Sequence, residues 1–209
     1  ATDVDIILAC STYLPEDVER VAEHVEILKI AAFESQDREL LVAHIAPINS
    51  GRTVIVSLGM GATGEIVQDW LGRGMNEDAR SQGRLRCLKC VSAYPTPTRD
   101  LNIAALRHRA GNWAGPCYHG YSDHSAWSET WTGALAVAAG ATIIERHLRL
   151  DGTDERNPDF GHSMRPGGFA EYCKNIRYAE VALGDGENSP RACEKESMAY
   201  RVGVEKGKA

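Results

Sequence analysis

The chain alternates short apolar, β-rich segments with segments that have the periodicity of helices. This alternation predicts parallel strands joined by helical crossovers. Several of the strands are apolar on successive residues, which is typical of strands covered on both faces. Six strands are predicted, at residues 5–11, 26–32, 53–59, 84–92, 117–122 and 141–148.

Helix signals lie between and after these strands. Pro15 is followed by two acidic residues and an apolar stripe, which is typical of the start of a helix. Ser128 is placed to begin another helix, and Gly140 is placed to end it. A last helix is predicted over residues 167–182 or 168–182.

An open doubly wound sheet and a closed barrel both produce such an alternation. An open sheet would concentrate its polar residues at one crevice, whereas here nearly every predicted strand ends in polar residues. A barrel gathers the carboxyl ends of all its strands at one mouth. We therefore expect an α/β fold of the TIM-type (β/α) barrel, with a mouth that contains Thr12, Lys29, Ser57, Ser92, Tyr94, Ser122, His124, Glu145 and His147.

Composition limits the partners and the compartment. The 209 residues carry a net charge of −6, which argues against nucleic acid or an anionic membrane as the main partner. No apolar run approaches the roughly 20 residues of a membrane-spanning helix, and the first residues lack the basic region of a signal peptide. Six cysteines are too few to indicate a disulfide-stapled scaffold. We expect a cytoplasmic protein with reduced thiols.

Two histidines are candidate metal ligands. His124 follows one predicted strand, and His147 lies on the next, 147 − 124 = 23 positions later, a separation that fits one helical crossover. Their imidazoles can converge on one divalent ion, with Asp123, Glu145 or Asp159 to complete or orient the ligands. A structural or solvated role is the alternative for either histidine taken singly.

Cationic and hydroxyl groups at strand ends suit the binding of an anion such as phosphate. The alternative is that serines end strands and that lysines reach water. The C-x-x-C sequence Cys87–Cys90 is not expected to be a metal or redox motif, because residues three apart on a strand point to opposite faces. The candidate anion-binding groups are Thr12, Lys29, Ser57, Lys89, Ser122 and Arg146.

Several segments together resemble the sialic acid synthase family. The most specific are YPTP at 94–97, SDH at 122–124 and IERH at 144–147, each at the end of a predicted strand. They occur in the order characteristic of the family, with LKIAAFE and VIVSLGMG before them and DERNPDFGHSM and ALGDG after them. The resemblance extends from about Asp5 to Gly186.

The resemblance implies a barrel of the phosphoenolpyruvate-dependent synthase type. His124 and His147 occupy the positions of two histidines that hold a manganese-like ion, with magnesium, cobalt and zinc as alternatives. Glu145 would lie beside the sugar acceptor, while Tyr94 and Asp159 match positions on the substrate or metal side. The positions that bind phosphoenolpyruvate or lie beside the substrate correspond to Thr12, Lys29, Ser57, Ser92 and Ser122.

The implied reaction is a condensation that forms a nonulosonic, sialic-acid-like acid. The aldehyde of an open-chain acylated hexosamine is polarised by the metal and attacked by C3 of phosphoenolpyruvate. Water adds at C2 before phosphate leaves. Phe33 and Glu34 resemble the pseudaminic acid synthase branch, which favours a doubly acetamidated trideoxy sugar over N-acetylmannosamine.

The chain departs from the family pattern at its start and at its end. The strands that open the family's barrel, with the patterns E-I-G-x-N-H and K-x-Q, do not occur, and neither does the C-terminal antifreeze-like domain. Residues 1–186 are therefore expected to supply about six of the eight β/α units, and residues 187–209 a charged arm or linker. We expect that the chain is a fragment, that a second chain completes the barrel, or that two copies close it as a homodimer. Lys89 is a candidate to replace the missing lysine's charge.

Two other functions stay open at this point. One is a non-catalytic, metal- and anion-binding subunit derived from the same family. The other is a metal-dependent hydrolase or aldolase on a similar barrel, which would leave the YPTP and SDH segments without a reason. Retention of Lys29, His124, Glu145 and His147 favours catalysis, whereas loss of the family's amino-terminal glutamate and lysine favours the binding subunit.

Overall fold

The computed structural model describes residues 5–107 and 118–202, and it contains one sheet of six parallel strands. Every strand pairs with the strands that precede and follow it in sequence. All six predicted strands are confirmed, although residue 117 of the fifth lies outside the described residues. The strands are β1 (Ala9–Ser11), β2 (Ile27–Ile30), β3 (Thr53–Leu58), β4 (Leu85–Cys90), β5 (Gly120–Asp123) and β6 (Ile143–Arg146).

The sheet is strongly curled. Neighbouring strands are about 4.8 Å apart, so β2 and β6 would be about 19 Å apart in a flat sheet. The side chains of Lys29 on β2 and Glu145 on β6 nevertheless meet, with Nζ 3.3 Å from Oε1. The six strands thus form most of a barrel wall, which confirms the predicted incomplete TIM-type barrel.

Helices cover the outer face of this wall. Gly140, whose φ is +105°, ends the helix predicted from Ser128, but that helix begins four residues later than expected, at Thr132. The predicted last helix is confirmed. The helices are α1 (Val18–Ala22), α2 (Arg38–Ala43), α3 (Ile45–Asn49), α4 (Gly64–Trp70), α5 (Glu77–Ser81), α6 (Thr132–Ala138) and α7 (Pro166–Leu183).

Short 3-10 helices complete the secondary structure. One of them, Pro15–Asp17, precedes α1, so the helix start predicted at Pro15 is confirmed. The others are Gly72–Gly74, Thr98–Asp100, Ile103–Arg107, Ala192–Glu194 and Ser197–Tyr200. No helix in the described parts of the chain is long and apolar enough to cross a bilayer.

The core lies between the outer face of the sheet and the helices. Alternate residues of β2 and β3 pack outward against apolar residues of α1, α2, α3 and α4, and all of these side chains are buried. The residues between them point into the barrel, where polar groups cluster toward the carboxyl ends of the strands. The outward strand residues are Leu28, Ile30, Val54 and Val56.

A buried charged network fastens the last two strands to the helices outside them. The carboxylate of Asp123 accepts hydrogen bonds from the hydroxyls of Tyr172 on α7, at 2.7 Å, and of Thr132 on α6. Arg146 on β6 lies 3.0 Å from the same carboxylate, and both charged side chains are at most 1% exposed. The network fixes β5 and β6 relative to α6 and α7, and therefore the residues that follow each strand.

Candidate active site

A cavity of about 500 Å³ opens at the carboxyl ends of the strands. The fold places it where parallel barrels collect their functional side chains. It is lined by eight of the residues selected from the sequence, namely Lys29, Ser57, Tyr94, Ser122, His124, Glu145, His147 and Asp159. Most of the candidates therefore do come together.

Thr12 and Ser92 do not line this cavity. Thr12 is buried behind it, where its Oγ1 lies 2.9 Å from Nε2 of His44 and its backbone N–H donates to the carbonyl of Lys29. Ser92 lies next to Gly59, with its Oγ 3.9 Å from the sulfur of Cys90. Thr12 directly follows β1 and Ser92 follows β4, and the last residue of each strand, Ser11 and Cys90, lines the cavity.

Glu145 lies at the inner end of the cavity between a cation and a hydroxyl. Lys29 Nζ is 3.3 Å from its Oε1, and the hydroxyl of Ser57 donates to its Oε2 at 3.3 Å. Burial by itself would raise the pKa of Glu145, but the Lys29 ammonium and the hydrogen bonds from Ser122 and Lys29 outweigh it and hold the pKa below its usual value. Glu145 is consequently a carboxylate at neutral pH.

His124 presents one free ring nitrogen to the cavity. Its Nδ1 lies 3.0 Å from the carbonyl oxygen of Val91, which can only accept, so Nδ1 carries the proton and Nε2 keeps its lone pair. Burial is the main cause that lowers the pKa of His124. The ring is therefore neutral near pH 7, which is the form that binds a metal.

His147, Asp159 and His162 form the tightest group of possible metal ligands in the described residues, with one ligand atom of each within 4.8 Å of the others. Asp159 Oδ2 lies 3.4 Å from His147 Nδ1, and Asp159 Oδ1 lies 3.5 Å from His162 Nε2. His124 lies just beyond this group, with its ring centroid 5.3 Å from that of His147. Burial and then repulsion from His147 lower the pKa of His162 to about 4.

His124, His147 and His162 lie close together and are called the histidine group below. Tyr94 forms one wall of this group. Its ring centroid lies 4.4 Å from that of His124 and 4.9 Å from that of His162. On its other side it stacks on Phe33 at 6.5 Å, with the ring planes 17° apart. Burial raises the pKa of Tyr94, so its hydroxyl is protonated near neutral pH.

His162 is a lining residue that the sequence analysis missed. It lies in an irregular segment between β6 and α7 with neither helical nor strand periodicity. The available signal was its position three residues after Asp159, in the segment that follows the IERH strand.

Three candidates from the sequence point away from the cavity, and the roles considered for them are wrong. Asp123 and Arg146 pair with each other under α6 and α7, so neither serves as a metal ligand or an anion-binding group in the mouth. Lys89 faces the same outer layer, where its ammonium donates to the carbonyl of Leu101 and lies over the ring of Tyr121. The physical reason is the alternation of side chains along a strand, which turns Ser122 and Glu145 inward and their neighbours outward.

The C-x-x-C pair also divides between the two faces, as expected. Cys87 packs in the core under the helices, and Cys90 lines the cavity.

Comparisons with known proteins agree with this architecture. Residues 1–188 match the profile of the NeuB family. The chain is 33% identical over 193 residues to pseudaminic acid synthase of Campylobacter jejuni, which covers 90% of this chain and 51% of that protein. It is 30% identical over 174 residues to N,N'-diacetyllegionaminic acid synthase of the same species, covering 83% and 49%. The chain thus spans about half the length of these relatives.

A solved structure shows the same fold. The crystal structure of N-acetylneuraminic acid (sialic acid) synthetase from Leptospira borgpetersenii, in complex with citrate, superposes with a TM-score of 0.72 at 29% sequence identity. The match covers 91% of this chain and 63% of that one.

Proposed function

The chain belongs to the NeuB family, and from this premise we propose that it condenses phosphoenolpyruvate with an acylated amino-sugar aldehyde to form a nonulosonic acid and phosphate. One observation carries the proposal. A single cavity joins the Lys29–Glu145 pair to the histidine group at the carboxyl ends of the strands. The relatives named above are synthases of pseudaminic and legionaminic acid.

The donor groups fit a divalent cation. His124 offers a free Nε2, His147 lies beside it, and Asp159 adds a carboxylate. We propose manganese as the ion, held by His124 and His147, with magnesium, cobalt and zinc as alternatives. When bound, such an ion supplies Lewis acidity toward the acceptor aldehyde.

Lys29, Ser57 and Ser122 form the anion-binding side of the cavity. The Lys29 ammonium attracts the carboxylate or phosphate of phosphoenolpyruvate as a point charge, and the two hydroxyls donate hydrogen bonds to it. Because Lys29 is almost fully buried, its charge is poorly screened by water and acts strongly at short range. Thr12 supports the strand that carries Lys29, because its backbone N–H donates to the carbonyl of Lys29. Ser92 lies beside Gly59, directly after the strand that carries Ser57.

The reaction balances without an oxidant or a reductant. A bond forms between C3 of phosphoenolpyruvate and the aldehyde carbon, and the aldehyde oxygen takes a proton to become a hydroxyl. Water adds at C2, the C2–O bond to phosphate breaks, and phosphate leaves. Glu145 is ionised and lies within the cavity, so it can orient an acceptor hydroxyl and hold a proton during the condensation. Tyr94 and Asp159 lie where they can contact the substrates.

The mouth favours an acceptor with an acetamido group near Phe33. The ring of Phe33 is largely exposed at the cavity, and with Tyr94 it forms an aromatic surface that suits a methyl group. The carboxylate of Glu34 also lines the cavity and can accept a hydrogen bond from an amide N–H. We therefore propose a doubly acetamidated trideoxy sugar as the acceptor.

Further strands are expected to cover the two edges of the sheet. Among the described residues, β1 and β6 each pair with one strand only. Ile6, Ile7 and Leu8 lie exposed just before β1. A homodimer or a second polypeptide would cover such strand edges. We place the enzyme in the cytoplasm, in keeping with its cysteine content.

The first test is phosphate release from phosphoenolpyruvate with manganese and a panel of acylated hexosamines, with His124→Ala as the control. The proposal predicts release that requires one class of sugar and His124. Release is expected to cease on addition of a chelator and to return with manganese. No release, with phosphoenolpyruvate and manganese still bound, would favour a non-catalytic binding subunit.

A further inference from the structure

His162 is the least explained polar residue in the structure. Its side chain is 1% exposed, and neither ring nitrogen has a hydrogen-bond partner among the described residues. A buried polar group without a partner costs about 1–3 kcal/mol, and such groups are rare in folded proteins. A binding role for the ring would account for this cost.

The spacing around Asp159 matches that of ligands on one ion. Two atoms about 2.1 Å from a metal, at angles between about 90° and 115°, are separated by about 3.0–3.5 Å. The two oxygens of Asp159 lie 3.4 Å from His147 Nδ1 and 3.5 Å from His162 Nε2. The ring centroids of the two histidines are 4.5 Å apart. We propose that His162 is a metal ligand, together with Asp159, His147 and His124.

The backbone holds His162 firmly in this position. The carbonyl of Asp159 accepts hydrogen bonds from the N–H groups of His162, at 3.3 Å, and of Ser163, at 2.9 Å. Met164 then pairs with the chain that leaves β6, through a 2.9 Å hydrogen bond from its N–H to the carbonyl of His147. The segment that carries His162 is therefore anchored directly to the segment that carries His147.

The set of ligands determines the class of ion. Three imidazoles and one carboxylate form a nitrogen-rich site, and imidazole favours first-row transition metals over magnesium. The third histidine is thus expected to shift the preference toward cobalt, iron or zinc. This inference deepens the proposed function, because it rests on the presence of an ion at His124 and His147.

Packing is the alternative explanation for His162. Its ring lies against Tyr94 and His147, and a ring without nitrogen atoms would fill the same place. His162→Phe therefore separates the two explanations, since it keeps an aromatic ring and removes both ligand atoms. His24→Ala is the control, because His24 is exposed and lies in the outer helical layer.

The decisive measurement counts the imidazoles coupled to bound Mn²⁺ by pulsed electron paramagnetic resonance on the full chain without substrate. We expect three in the wild-type protein and two in His162→Phe, with a Kd for Mn²⁺ that rises by about 100-fold, the upper end of the effect of supporting residues at metal sites. His24→Ala is expected to leave both values unchanged. Excess Mg²⁺ is expected not to displace the bound ion from the wild-type protein.

Two coupled imidazoles in the wild-type protein would overturn the inference without using any variant. So would a Kd that is unchanged in His162→Phe. If His124→Ala and His147→Ala each abolish this coupling to two imidazoles, the proposed metal site stands and only the role of His162 fails. Three coupled imidazoles without phosphate release would instead uphold His162 and count against the synthase.

Discussion

Lys29 on β2 and Glu145 on β6 meet across the mouth of the curled sheet, with Nζ 3.3 Å from Oε1. The contact keeps Glu145 ionised and places a buried cation in the cavity, on the side proposed to bind an anion. It also joins two strands that are four positions apart in the sheet. The proposed anion binding and the closure of the wall therefore involve the same pair.

Lys29→Met is expected to lower kcat/KM for phosphoenolpyruvate by about 100-fold, comparable to the loss of one preorganised group that stabilises charge in an active site. Phosphate release at varied phosphoenolpyruvate concentration measures the effect. Lys89→Met is the matched control, because Lys89 is a buried strand lysine that faces the outer layer. An equal loss of phosphoenolpyruvate affinity in the two variants would contradict the assignment.

Tyr94 is expected to act on the histidine group through its ring. Tyr94→Phe keeps the ring beside His124 and His162 and should leave the Kd for Mn²⁺ within about threefold, whereas Tyr94→Ala should raise it by about 10-fold. Calorimetric titration with Mn²⁺ distinguishes the two results. Equal weakening in both variants would show that the hydroxyl, rather than the ring, supports the site.

The Asp123–Arg146 pair is expected to dominate the stability of the last third of the chain. Asp123→Ala leaves the guanidinium of Arg146 buried without its carboxylate, so the free energy of unfolding should fall by about 3–5 kcal/mol. Urea unfolding measures this change. The exposed pair of Arg177 and Glu180 provides the control, and Glu180→Ala should leave the midpoint unchanged. A small effect of Asp123→Ala would mean that water reaches Arg146.

His44 is expected to make stability depend on pH. Burial lowers its pKa in the folded chain below the ordinary value of 6.5. The unfolded chain therefore binds a proton first as the pH falls, and stability is lost below about pH 6.5 by at most about 1.4 kcal/mol per pH unit. The contribution is fully present above that value.

Urea unfolding of the metal-free protein between about pH 5 and pH 7 tests this expectation. His44→Gln should reduce the slope of the unfolding free energy against pH by up to the uptake of one proton on unfolding, because Gln does not titrate. The contact of His44 is with Thr12, away from the histidine group, so the effect is separable from metal binding. An unchanged slope in His44→Gln would place the titration elsewhere.

The sequence predicts the strands and most of the mouth because both depend on local pattern. Apolar runs mark β2 and β3, and polar residues at their ends mark Lys29 and Ser57. The direction of side chains is harder to predict where both faces of a strand are buried, since an apolar run does not show which residues face inward. For this reason the sequence pattern makes Asp123 and Arg146 candidates for the mouth, although both lie outside it.

His162 could not be placed from the sequence because distant contacts set its position. The segment between β6 and α7 has no periodicity, and its course is fixed by the pairing of Leu148 with Met164. The side chain of Arg149 adds hydrogen bonds to the carbonyls of Phe160 and Ser163. A spacing rule along the chain cannot represent contacts of this kind.

The strand order has a consequence for how the protein is made. In the part of the chain that the structure describes, each strand pairs only with its neighbours in sequence, so the sheet can grow one strand at a time as the chain leaves the ribosome, with short loops closed at each step. Glu145 and His162 are synthesised more than a hundred residues after Lys29. Most of the wall is therefore built before Glu145 and His162 leave the ribosome, and the cavity can be completed only after these two residues have emerged.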